Sequence, residues 1–178
     1  MKKINVYYKY DNSVAVIVLD HEKGNVLDHV MMEELQETLS SFYLKDELKF
    51  ILFEGAGKHF CFGASVEEHK KEFASTMLHA FHQLFYSIRD LAIPCGAKIS
   101  GQCLGGGLEL ALMCNFIFAD KTAKLGQPEI SLGVFPPPAS ILLPEKIGSA
   151  RAEELLITGK TINGEEARQI GLVNELFD

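Results

Sequence analysis

Three consecutive glycines, Gly105, Gly106 and Gly107, run directly into Leu108-Glu109-Leu110-Ala111-Leu112-Met113, and this junction constrains the chain more than any other stretch. Leu, Ala, Glu and Met are good helix formers. A glycine run is a poor helix interior but a good helix start. Without Cβ atoms the backbone there can approach a ligand closely, and the unpaired N–H groups of a first helical turn face outward as donors that favour negative charge. Glu109 falls within that first turn. Further on, Gly126-Gln127-Pro128-Glu129 presents a second carboxylate on what reads as a tight turn after a strand. Alone, Glu109 could merely favour a helix N-terminus and Glu129 could be a solvated turn residue. Together, beside a preformed donor cluster, they lead to the expectation of an acid/base site.

At 178 residues, with 47% hydrophobic and 23% charged side chains, the chain fits one globular domain with a substantial core. No apolar run approaches membrane-spanning length. The beginning, MKKINVYYKYDNS, lacks the apolar stretch and small-residue cleavage site of a signal peptide, so a cytoplasmic location is expected. A net charge of −7 with no basic run argues against nucleic acid as a partner. Cys61, Cys95, Cys103 and Cys114 form no C-x-x-C pair, so the expectation is reduced, buried thiols rather than a disulfide framework or zinc site. His79 and His82 share a probable helix without a third ligand at metal spacing, and no metal is expected.

Val14 to Leu19 is a β-branched, nearly continuous apolar run suited to a strand covered on both faces. From Asp28 to about Tyr43, Met32, Leu35, Leu39 and Phe42 keep helical spacing with acidic residues between them. Phe50 to Phe53 repeats the buried-strand pattern and stops at Glu54-Gly55-Ala56-Gly57, which makes Lys58 to Ser65 a loop at a strand end. In parallel α/β folds ligands collect at such ends. Phe73, Met77, Phe81, Leu84, Phe85, Ile88 and Leu91 trace the core stripe of a long helix ending before Pro94. Gly96 to Ser100 and Phe116 to Ala119 read as strands, Lys124-Leu125-Gly126 leads to Glu129, and helices follow over Ala139 to Leu143, Ala150 to Ile157 and Glu165 to Ile170. The alternation implies an α/β fold with mainly parallel strands.

Several separated segments then fall in the order of one family: KGNVLD (Lys23 to Asp28), HFCFGASVEEH (His59 to His69), KISGQCLGGGLELALMCNFIFAD (Lys98 to Asp120), KLGQPEISLGVFP (Lys124 to Pro136) and TGKTINGEEARQIGLVNEL (Thr158 to Leu176). Through them the chain resembles the crotonase (enoyl-CoA hydratase/isomerase) superfamily over nearly its whole length. GASVEEH, GQCLGGGLEL and GQPEISLGVFPPPAS look most like the cyclohexa-1,5-diene-1-carbonyl-CoA hydratase branch, which belongs to anaerobic aromatic-acid metabolism.

The resemblance implies a crotonase-like spiral of ββα repeats around an acyl-CoA site, in trimers or pairs of trimers. It implies that the N–H groups of Ala64 and Gly106 form an oxyanion hole for the thioester carbonyl. Glu109 is then the base toward water and Glu129 the acid toward the α-carbon, with Val26, Leu27, Phe62 and Gly63 near the pantetheine arm. Coenzyme A enters as part of the substrate, and no other cofactor is expected. An isomerase or decarboxylase of the same fold, or a non-catalytic acyl-CoA-binding module, are the alternatives. Two departures stand out. Where the hydratases continue P-G after GVF, Pro136 is followed by Pro137, which has no N–H to offer a catalytic water. The sequence also stops at Asp178, so the C-terminal helices of the family are expected to be missing from this single core domain, 1–178, with low activity as a consequence.

Overall fold

The computed structural model describes residues 2–22, 24–69, 72 and 74–178. Two expected positions, Lys23 of the first matching segment and Phe73 of the long apolar stripe, lie outside the described residues.

The main sheet has six strands in the order β1-β2-β3-β4-β6-β9. Its centre follows from the apolar runs: β2 (Val14–Leu19), β3 (Phe50–Gly55), β4 (Cys95–Ile99) and β6 (Phe116–Ala119) pair in parallel. Ala15, Val16, Ile17 and Leu19 of β2 have no exposed surface, as expected for a strand covered on both faces. The outer strand β1 (Ile4–Lys9) pairs antiparallel with β2 from Ile4↔Leu19 to Lys9↔Val14. It was not expected from the sequence. Its Tyr and Lys side chains face solvent at a sheet edge, where little apolar patterning is needed. At the other edge β9 (Glu175–Leu176) adds to β6 in parallel.

Helix α1 (His29–Phe42) starts where Asp28 Oδ1 accepts the Met31 N–H, an N-cap bond at 3.0 Å. It buries Met31, Met32, Leu35, Leu39 and Phe42. Helix α2 (Ala74–Leu91) buries Met77, Phe81, Leu84, Phe85, Ile88 and Leu91 along one stripe. The two pack side by side, with Gln36 Nε2 donating to Ser87 Oγ at 2.7 Å.

A second, three-stranded sheet joins β5 (Gln102–Leu104), β7 (Lys124–Gly126) and β8 (Thr161–Asn163) in that order. Strand β5 is parallel to β7, and β7 is antiparallel to β8. The bridge Cys61↔Cys103 extends this layer to the loop after β3. The chain therefore winds in repeats: β3, the Cys61 bridge and α2; then β4, β5 and α3 (Gly106–Met113); then β6, β7 and α4 (Pro137–Ile147) with α5 (Ser149–Thr158). Helix α6 (Gly164–Gln169) follows β8, closed at its start by a capping box between Asn163 and Glu166. This is the expected ββα spiral.

The segment carrying Glu129 differs from the expected tight turn. Pro128–Leu132 forms a short 3-10 helix with the proline near its start, ended by Gly133 at φ 73°. All four cysteines are free and buried, as expected.

Candidate active site

Helix α3 begins at the glycine run and is buried from Gly106 to Leu112. Gly105 precedes it at φ +50° and donates its N–H to the Gly126 carbonyl at 3.0 Å, which ties the helix start to the end of β7. That tie brings the two carboxyl-bearing segments together. A Cβ on Gly105 would stand 2.7 Å from Glu129 Oε1, so the Glu129 carboxyl lies directly over the bare glycine.

The second half of the donor cluster comes from the strand-end loop. Leu27 N–H donates to the Gly63 carbonyl at 2.9 Å and Ser65 N–H to the Leu27 carbonyl at 3.0 Å, which leaves the Ala64 N–H between them pointing elsewhere. A Cβ on Gly106 would stand 3.0 Å from the Ala64 nitrogen, and one on Gly63 would stand 3.5 Å from the Gly106 nitrogen. The two amides are neighbours, and neither has an acceptor among the described residues. Gly106 is buried and Ala64 half-buried, and N–H groups shielded from water are rarely left that way. Side by side, the pair can donate to a single oxygen.

The loop from Gly24 to Asp28 is laced to the same region. Asn25 is buried and its Nδ2 donates to the carbonyls of Ala56, His59 and Phe60 at 3.1, 2.8 and 3.2 Å. Phe62 N–H donates to the Gly24 carbonyl at 2.9 Å. Val26, Leu27, Phe62 and Gly63 are thus brought beside Ala64. Their exposure differs: Phe62 is 45% exposed, Val26 is half-buried, and the Leu27 side chain is directed wholly into the core.

Glu109 is 3% exposed. Burial, which disfavours its charge, pushes its pKa up from 4.5 to about 8; the Ala139 N–H, donating to Oε1 at 3.0 Å, draws it down, and the Glu129 charge adds to the rise. A carboxyl poised near neutral pH is suited to proton transfer. Two further residues act on this pair without having been singled out from the sequence. One is Ala139. The other is Gln127, completely buried, whose amide, with its nitrogen toward the carboxyl, donates to Glu129 Oε2 at 3.0 Å and Oε1 at 3.1 Å. Gln127 sits within the GQPE segment, but no local pattern tells a glutamine that holds a carboxyl from one that faces water.

A mainly apolar groove of about 340 Å³ opens beside Pro137 and Pro138, walled by Phe85, Tyr86, Ile141 and Leu142. Neither Glu109 nor Glu129 lines this groove; it lies on the far side of Pro137 and Pro138 from Ala139, whose N–H reaches Glu109. Among the described residues no cluster of His, Cys, Asp or Glu is arranged to hold a metal ion, and no helix is long and apolar enough to cross a membrane.

The ββα spiral is that of the crotonase fold. A family model described as enoyl-CoA hydratase/isomerase matches residues 9–178, and the chain belongs to that family. It is 41% identical over 175 residues to the cyclohexa-1,5-dienecarbonyl-CoA hydratase of Thauera aromatica, covering 98% of this chain and 68% of that one. It is 36% identical to a probable enoyl-CoA hydratase of Bacillus subtilis, covering 92% and 66%. Among solved structures, the enoyl-CoA hydratase of Bacillus anthracis superposes with a TM-score of 0.94 at 34% identity, covering 99% of this chain and 70% of that one. The chain thus spans about two thirds of the length of the relatives it matches.

Proposed function

We propose that the chain forms an acyl-CoA hydratase site, adding water to a double bond conjugated to a thioester, with cyclohexa-1,5-diene-1-carbonyl-CoA as the substrate. The observation that carries this reading is the carboxyl pair Glu109 and Glu129 facing a glycine helix start with two open amides. The relative from Thauera aromatica supports the cyclic dienoyl substrate.

In this scheme the thioester oxygen accepts the N–H groups of Ala64 and Gly106. As the water oxygen bonds to the far carbon of the conjugated double bond, its proton passes to ionised Glu109. The π electrons move onto the thioester as an enolate, held by the two amides, and Glu129 delivers a proton to the α-carbon. One such donor contributes about 3 kcal/mol in the transition state. The pair takes one proton and gives one, so a proton returning from Glu109 to Glu129 through solvent restores it. No step calls on a metal or redox group.

Coenzyme A would lie along Val26, Phe62 and Gly63, with Leu27 buried behind them, and the acyl end would lie between the two amides and the carboxyl pair. Exposed Leu132, Phe135 and Ile141 support assembly into a homotrimer or a pair of trimers. Four free thiols suit the reducing cytoplasm.

The test is incubation with cyclohexa-1,5-diene-1-carbonyl-CoA and with crotonyl-CoA, followed by mass. A gain of one water on the diene is expected. Loss of carbon dioxide, a shifted double bond without added water, or tight binding without change would each replace the hydratase reading.

A further inference from the structure

The start of helix α4 has an unusual donor inventory. In any α-helix the first four N–H positions have no partner inside the helix. Here those positions are the N-cap Pro136, then Pro137, Pro138 and Ala139, because the first intrahelical bond runs from Ser140 N–H to the Pro136 carbonyl at 3.0 Å. Three of the four have no N–H at all. The fourth, Ala139, spends its N–H on Glu109 Oε1 at 3.0 Å in a buried contact. Nothing is left over at this helix end for a water or for a second bond to the carboxyl.

We propose that Pro137 and Pro138 are positioning residues for Glu109: by withholding the two donors before Ala139, they restrict the helix start to one amide on one carboxyl oxygen. A carboxylate at a helix N-terminus can gather two or three backbone donors, and each favours the charged form. Among the described residues, Glu109 receives one. The proline pair thereby keeps the carboxyl able to hold and release its proton in the working range, instead of fixing it as a permanently ionised cap. Among the described residues, one charged group, Glu129, acts on Glu109, opposing its charge from the 3-10 segment. Helix α2 presents His82 across the groove that Pro137 and Pro138 line, with Arg89 farther along the same helix beside Asp90. Lys146, on α4 itself, is engaged at the other end of α3, donating to the Cys114 carbonyl at 2.9 Å.

This inference rests on the reading of Glu109 as a proton carrier, and its test separates the two. The Glu109 carboxyl is titrated by carbon NMR on chain labelled at glutamate, its signal assigned by loss in Glu109→Gln, in the parent and in Pro138→Ala and Pro137→Gly. Each variant restores one N–H. The midpoint is expected to fall by about one to two pH units in Pro138→Ala, the value of one added bond to a charged group. The pH profile of hydration should move by the same amount. An unchanged midpoint in both folded variants overturns the proposal, and so would failure of both to fold, since the prolines would then be held for stability. A shifted midpoint with no hydration at any pH would uphold the proline role and sink the hydratase reading instead.

Discussion

The carboxyl of Glu129 rests on Gly105, so closely that a Cβ there would come within 2.7 Å of Oε1. Gly105 also holds φ +50°, a conformation that L side chains rarely adopt. Gly105→Ala therefore meets two obstacles at once. The backbone strain is worth about 1 to 3 kcal/mol, and the displaced carboxyl disturbs proton transfer as well. The expected result is a folded protein with a lowered melting temperature and a larger proportional loss of hydration. Retained turnover in a destabilised protein would show that Glu129 needs no such seat.

Glu109→Gln and Glu129→Gln change charge and proton capacity with little change of shape. Each should keep the circular-dichroism spectrum of the parent and lower hydration by roughly a hundred- to ten-thousand-fold, the usual worth of a positioned acid or base. Near-native turnover in either variant removes that residue from the mechanism.

Adjacent glycines should separate function from packing. A Cβ on Gly106 would press on the Ala64 nitrogen and the Phe81 ring, both at 3.0 Å, whereas one on Gly107 would collide with Cys61 Cβ and its carbonyl at 2.7 Å. Gly107→Ala should thus cost mainly stability, about 1 to 3 kcal/mol for an overpacked core. Gly106→Ala, which crowds the open amides, should lose about a hundredfold or more in turnover with the smaller drop in melting temperature. The reverse order in paired melting and rate measurements would make Gly106 the structural glycine.

The elements that sequence alone exposes are those whose pattern is local. The apolar run Val14 to Leu19 and the stripe from Met77 to Leu91 each declare their own geometry, the first as a short β-branched run covered on both faces, the second because burial selects every third and fourth side chain. Strands β5 and β8 have three residues each, and their pairing is decided by distant partners in β7. Three residues cannot carry a period. The site divides the same way. The glycine run and both glutamates stand out within short stretches, but the bond from Ala139 to Glu109 spans 30 positions. The absence of an N–H at Pro137 could be read from the sequence. Its consequence, that the next free amide goes to Glu109, needs the placement of α4 against α3.

Glu109 should also impose a pH dependence on stability. Its carboxyl has an ordinary value of 4.5 in the unfolded chain and about 8 when folded. Between those values the folded state holds more protons than the unfolded state, so stability falls as pH rises through the window. The contribution is fully present below about 4.5 and is gone above about 8, with a size on the order of a few kcal/mol. Asp28 acts in the opposite sense. Burial pushes its pKa up, but Lys3 and the Met31 N–H pull it further down, so its loss of stability comes as pH falls below its ordinary 3.8, outside this window. Melting temperatures recorded from pH 5 to 9 should therefore decline in the parent, while Glu109→Gln, which mimics the neutral form and can still accept the Ala139 N–H, should follow a flatter course and match or exceed the parent at pH 8. The same protonation has a kinetic side. If Glu109 is the base toward water, hydration must rise with pH up to about 8 as the carboxylate forms; a rate that falls across that range would exchange the roles of Glu109 and Glu129.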